Sequence, residues 1–165
     1  MSYALPVGKS VEYFMRLMGQ EIPDEYTMPD PETWEMRKKL IEEEYKEMRE
    51  AYEAGDFAAF LDAAVDLVYV AVGAALDAGL TQFDEAFDAV HRANMEKAPT
   101  CERCKGTGFT RGHSLCGECA GKGRIVKRRV DGKILKPVGW VAPDIASIIW
   151  KETDARPHPP VTAAE

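Results

Sequence analysis

No cysteine stands before residue 101 or after residue 119 of this 165-residue chain. That confinement excludes a disulfide framework scattered through the fold. Positive charge is in deficit, with 21 Lys and Arg against 28 Asp and Glu and a net charge of -7. The N-terminus has no basic region followed by an apolar run. No secretion signal is therefore expected, and the expected compartment is a reducing cytoplasm, a host cytoplasm if the source is viral. Phe109 is the one aromatic ring in the cysteine-bearing stretch. That scarcity argues against a platform on which single-stranded bases stack, so nucleic acid is not expected as a partner. Even the most apolar run, FLDAAVDLVYVAVGAAL at 60–76, is not free of charge, because it holds Asp62 and Asp66. It is slightly short and Ala-rich for a membrane span, and it reads as the buried helix of a soluble protein with no membrane partner.

What is present is enough apolar material, 45%, for one domain or a domain with a small module. Charge is uneven. Residues 98–140 carry ten Lys and Arg against three Asp and Glu, whereas the rest carries eleven against twenty-five. An acidic body thus holds a basic insert.

Four helices are expected first. Over 10–20, Val11, Phe14, Met15 and Met18 have helical spacing, with Ser10 as N-cap. Asp30-Pro31 opens a second helix that runs to Ala54 and breaks at Gly55-Asp56. A third covers 57–78, with Gly79 as its stop. Thr81 is expected to cap a fourth, with Asp84 completing a capping box, and this helix ends near Lys97. RIVKRRVDGKILK at 124–136 reads as two β-prone runs around Asp131-Gly132, a hairpin signal. Pro143-Asp144 opens a short last helix, and the tail 153–165 is expected to be disordered. The expected fold is all-α: a four- to five-helix bundle with a small four-cysteine, zinc-binding insert and a β-hairpin. The expected divisions are a helical catalytic bundle at 1–98, the insert at 99–124, and a hairpin and C-terminal helix at 125–152 completing the catalytic domain.

Two acidic pairs stand out. Glu44 and Glu47 share a helix face, flanked by Glu43 and Glu50, and Asp62 and Asp66 share a face of the next helix. A short turn makes the two helices antiparallel neighbours, so the pairs are able to face each other. A solvated face beside Lys46 and Arg49 explains the glutamates alone. It explains two aspartates in an apolar helix less well, unless they sit at its rim. Carboxylates in apolar surroundings are costly, and several together repel one another. A divalent cation resolves both problems, and oxygen-only ligands suit Mg2+ or Mn2+.

The cysteines form two copies of C-x-x-C-x-G-x-G, at Cys101/Cys104 and Cys116/Cys119, with eleven residues between Cys104 and Cys116. Two such knuckles complete a tetrahedral zinc site. A redox pair is the lesser reading, since redox C-x-x-C sites do not come doubled with these glycines. With all four ligands supplied by cysteine, no position is open to substrate, so the zinc is expected to be structural. His113 is not needed as a ligand. The repeats resemble the zinc knuckles of DnaJ-type cysteine-rich domains.

LIEEEYKEM, DAAVDLVYVAVGAALDAGL and VHRANMEK resemble the all-α nucleoside triphosphate pyrophosphohydrolases, the MazG-like group that includes phosphoribosyl-ATP pyrophosphatases. DGKILKPVGW followed by PDI resembles the C-terminal motif of a branch common in bacterial viruses. The resemblance implies a helical bundle that forms a homo-oligomer, dimer or tetramer. It implies cleavage of a (d)NTP between the α and β phosphates to a monophosphate and pyrophosphate, with dGTP as one candidate. Metal ligands would fall on Glu44, Glu47 and Asp66. The family's Glu three residues before that Asp is Ala63 here, and Asp62 is the substitute, although a one-residue move turns a side chain about 100° around the helix. Glu43 is the candidate general base. Asn94 and Lys97 would contact phosphate oxygens, and Lys133 and Lys136 would close over them. Without the resemblance, Lys97 reads as a cation at a helix C-terminus and the two hairpin lysines as solvated charge. The competing functions are a nucleic-acid or protein binding module on a dimeric helical scaffold, and phosphoribosyl-ATP hydrolysis.

Overall fold

The computed structural model describes residues 5–150 and contains five helices: α1 (Val7–Leu17), α2 (Pro31–Ala54), α3 (Phe57–Leu76), α4 (Phe83–Glu96) and α5 (Ile145–Ile149). The expected tail at 153–165 lies outside the described residues. Two compact units divide between Glu85 and Ala86, inside α4.

In the first unit, α2 starts where Asp30 accepts the backbone N–H groups of Glu32 and Thr33, at 2.9 and 3.0 Å, with Pro31 at the first helical position. Asp56 caps α3 in the same way through Ala58 and Ala59. Only Gly55 and Asp56 separate the two helices, so they run antiparallel and pack along their length. Arg37 near the start of α2 pairs with Asp77 at the end of α3, through contacts of 2.5 and 3.0 Å, and locks that orientation. The core joins Val11 and Met15 of α1 to Val72 and Leu76 of α3, with Ile22 between them and Tyr69 and Phe83 packed against it. Arg37 is only 7% exposed, so truncation would strand the Asp77 carboxylate. Arg37→Ala is expected to lower unfolding free energy by about 3 kcal/mol in a urea titration.

Two expected caps are corrected. α1 begins at Val7, before Ser10, and has no cap from its own flank. The N–H groups of Gly8 and Lys9 instead donate to the Asp84 carboxylate, at 2.8 and 3.1 Å. Asp84 therefore caps α1 from 76 residues away, and α4 starts at Phe83, past Thr81. The expected burial of α3 is also corrected. Only 22% of its most apolar window is buried, and Phe57, Leu61, Val65 and Val68 are exposed. Among the described residues it is the one helix long and apolar enough to cross a membrane, by length and composition alone.

In the second unit, α4 leads into the cysteine knuckles, an extended segment and α5, which Asp144 caps through Ser147 at 3.1 Å. The expected β-hairpin is not formed as a ladder. A single antiparallel bridge joins Arg128 to Ile134, around a five-residue loop in which Gly132 N–H bonds Arg129 O. Val130 is fully exposed, so the ribbon buries no face, and a two-stranded ribbon without one has little to hold it.

Candidate active site

The α2–α3 pair presents the expected carboxylates. Glu44 is half-buried, while Glu43, Glu47, Asp62 and Asp66 are exposed. Burial pushes the Glu44 carboxyl above its ordinary range. Repulsion adds to that shift, in decreasing order from Asp66, Glu47, Glu43 and Asp62. Residues from both helices thus act on one carboxyl group, and Asp66 acts more strongly than the substitute Asp62. Other acids of α2 find cations: Lys38 pairs with Glu35, Lys46 with Glu50, and Arg49 with Glu53. Among the described residues, no Lys or Arg nitrogen lies within 4.0 Å of the carboxylates of Glu43, Glu44, Glu47, Asp62 or Asp66. The donor set is hard, anionic and uncompensated, which fits a hard divalent cation. The carboxylates do not close into a group as compact as the thiolates described below.

The second unit gathers Asn94, Lys97 and Lys136. Lys97 Nζ donates to Asn94 Oδ1 at 2.6 Å. Lys97 Nζ also lies 5.4 Å from the Trp140 ring centroid, and Lys136 Nζ lies 4.1 Å from the same centroid. The indole N–H donates to Ala93 O at 2.7 Å. Trp140 is the residue that reading the sequence missed. Its signal was the KPVGW spacing, in which a tight turn returns the ring toward Lys136. Lys133 is exposed in the loop, where its backbone N–H bonds Asp131 at 3.1 Å.

All four cysteines are buried, and their sulfurs lie within 4.8 Å of one another. Cys101 and Cys116 sulfurs are 3.9 Å apart, and those of Cys104 and Cys119 are 3.7 Å apart. Thiolates about 2.3 Å from a tetrahedral zinc stand about 3.8 Å from one another, so the spacing fits that ion and not a disulfide, whose sulfurs are about 2.0 Å apart. The knuckles mirror each other. Gly108 N–H donates to Cys104 Sγ at 3.3 Å, and Gly123 N–H to Cys119 Sγ at 3.2 Å. Cys101 N–H bonds Gly123 O, and Cys116 N–H bonds Gly108 O. Burial alone would raise the Cys104 thiol. The Gly108 N–H and the thiols of Cys119 and Cys101 outweigh it and bring the group down to about 7. Cys101 receives help from the Cys104 backbone, yet burial and its thiol neighbours push it up to about 11. His113 is exposed and outside the group.

Gly108 and Gly123 are fixed by this symmetry. Both have positive φ, and a Cβ on either would meet a backbone oxygen of the opposite knuckle at 2.2 Å. Gly108→Ala is therefore expected to abolish stoichiometric zinc retention, measured by metal analysis after gel filtration.

The profile of the phosphoribosyl-ATP pyrophosphohydrolase family matches residues 11–94. The chain belongs to that family. The match runs from α1 into α4 and takes in both acidic pairs and Asn94, ending before Lys97 and the cysteines. The family lies within the MazG-like all-α superfamily, whose pyrophosphohydrolases usually use a divalent metal, and membership indicates a hydrolase of nucleotide pyrophosphate bonds. No curated protein matches the chain.

Proposed function

We propose that the chain is a Mg2+- or Mn2+-dependent nucleoside triphosphate pyrophosphohydrolase that cleaves a (d)NTP between its α and β phosphates. One observation carries this reading: Glu43, Glu44 and Glu47 of α2 and Asp62 and Asp66 of α3 have no Lys or Arg nitrogen within 4.0 Å among the described residues, and burial, then repulsion from the other four, raises the Glu44 carboxyl. In this reading Glu44, Glu47 and Asp66 hold the ion, with Asp62 as the fourth ligand. The chemistry a bound ion supplies is charge stabilisation at the phosphates and a more acidic water. Glu43 accepts the proton of the attacking water. Asn94, Lys97 and Lys136 donate to phosphate oxygens as negative charge builds up. The four cysteines hold one structural zinc with no position left for substrate.

A second reading, hydrolysis of phosphoribosyl-ATP, is favoured by the family whose profile matches. One assay separates the two. Each (d)NTP and phosphoribosyl-ATP are incubated with the protein and Mg2+, and products are resolved by phosphorus NMR. Monophosphate and pyrophosphate from a (d)NTP, at a higher kcat/KM than for phosphoribosyl-ATP, are expected. Diphosphate and orthophosphate would remove the α–β assignment.

Homo-oligomer formation belongs to the same proposal. Phe57, Leu61, Val65 and Val68 form one exposed apolar stripe along α3. Light scattering is expected to give a multiple of the 18.3 kDa chain mass, and Leu61→Glu with Val65→Glu is expected to reduce it to a single chain.

A further inference from the structure

We propose that Trp140 is a positioning residue whose indole face gathers Lys97 and Lys136 into one cationic edge that takes a pyrophosphate group. This rests on the reading above, in which those lysines meet phosphate oxygens, but Trp140 has no part in that reading.

The geometry starts in the backbone. Trp140 N–H bonds Pro137 O at 3.1 Å across a turn whose third residue, Gly139, has φ of 81°. That turn folds the ring back beside Lys136, the residue just before the turn. The ring so placed lies beside Lys97 at the end of α4, and its indole N–H bonds Ala93 O of the same helix. Two cations consequently share one aromatic ring, at 4.1 and 5.4 Å. The ring attracts each of them, while they repel each other. Among the described residues neither lysine has a carboxylate within 4.0 Å. A contact that served only to dock the extended segment on α4 would need no second ammonium. The surplus charge calls for an anion that bridges the pair. Asn94 supports it: its Oδ1 is engaged by Lys97, so its amide nitrogen is left as a donor.

Space for such an anion adjoins the pair. Lys97, Lys127 and Lys136 line a cleft of about 410 Å³ together with Glu102, Glu118 and Leu135. Glu102 is already bonded to Lys105, so the lining keeps a positive excess. A pyrophosphate group has enough oxygens to meet two ammonium groups and an amide at once, and a single phosphate has fewer.

The test is calorimetric titration of the zinc-loaded full chain, without Mg2+, using inorganic pyrophosphate and separately a nucleoside monophosphate. Trp140→Leu is expected to weaken pyrophosphate binding at least about tenfold. Trp140→Phe, which keeps a ring face and loses the N–H, is expected to stay within about threefold of wild type. Monophosphate binding should change less than pyrophosphate binding in the leucine variant. Equal losses in both ring variants, or no loss in either, would overturn the proposal, as would monophosphate binding that changes as much as pyrophosphate binding. If Trp140→Leu loses zinc, the decision passes to Lys97→Gln, Lys136→Gln and the double variant. Losses that are not additive support one shared anion site, and additive losses overturn it. A wild-type protein that hydrolyses no nucleotide, yet shows the Leu–Phe difference, would sink the proposed function and leave this inference standing. Hydrolysis with no such difference would do the reverse.

Discussion

Glu47→Gln and Asp66→Asn are expected to lower nucleotide hydrolysis by at least about a hundredfold while leaving the helical circular dichroism of the wild type. Both side chains are exposed, so neither change opens a cavity or strands a buried partner. The activity loss is therefore not an unfolding loss. Glu44→Gln extends the prediction to stability, because its carboxyl is raised by burial and then by Asp66, Glu47, Glu43 and Asp62. The fold thus favours the protonated form of Glu44 more than the unfolded chain does. The penalty is absent below the unfolded value of about 4.3 and is fully present above the raised folded value. Metal-free protein should accordingly gain stability from this group as pH falls through that window. At neutral pH, Glu44→Gln should melt higher than metal-free wild type and lose the upward shift in melting temperature that Mn2+ gives the wild type. A variant that melts lower, or that keeps both the Mn2+ shift and full turnover, would show that the carboxylates are a solvated helix face.

The second large effect concerns the thiolates. Removing zinc with a strong chelator, or replacing Cys104 with Ser, is expected to unfold residues 101–124. The segment has little else to hold it: its buried cluster is the four cysteines, with Ile125 packed against them. Binding of a structural zinc supplies about 10–16 kcal/mol in zinc-finger peptides, more than an insert of this size is able to gain from burial. Hydrogen exchange should show amides at 101–124 losing protection, including those of Gly108 and Gly123 that bond the sulfurs. Protection along α2 and α3, held by the core that α3 shares with α1 and by Arg37–Asp77, should persist. Unchanged exchange after complete zinc removal would mean that the knuckles fold without metal.

The parts of this molecule that were legible in the sequence are those whose causes lie within a few residues. Asp30-Pro31 and Gly55-Asp56 fix the ends of α2 through bonds to adjacent backbone, and the structure places them where the local pattern does. The doubled C-x-x-C-x-G-x-G is similar: repetition and glycine placement together leave few other ways to fold. What the sequence concealed depends on distant partners. Asp84 sits where a local capping box would use it, yet its carboxylate serves α1. The apolar run of α3 reads as core because hydropathy does not distinguish a buried face from one left exposed on a single chain. Asp131-Gly132 marks a turn, but only a third element or a buried face makes a ladder of its flanks. Trp140 carries no chemical signature alone, and its place beside Lys97 depends on the turn at Gly139 and on a helix whose Ala93 lies 47 residues away.

The most direct measurement is anomalous diffraction from a crystal soaked in Mn2+. The account predicts a manganese peak between α2 and α3, with carboxylate oxygens of Glu44, Glu47 and Asp66 at ligand distance. A well-ordered map with no peak there, and those side chains directed separately into solvent, would contradict it.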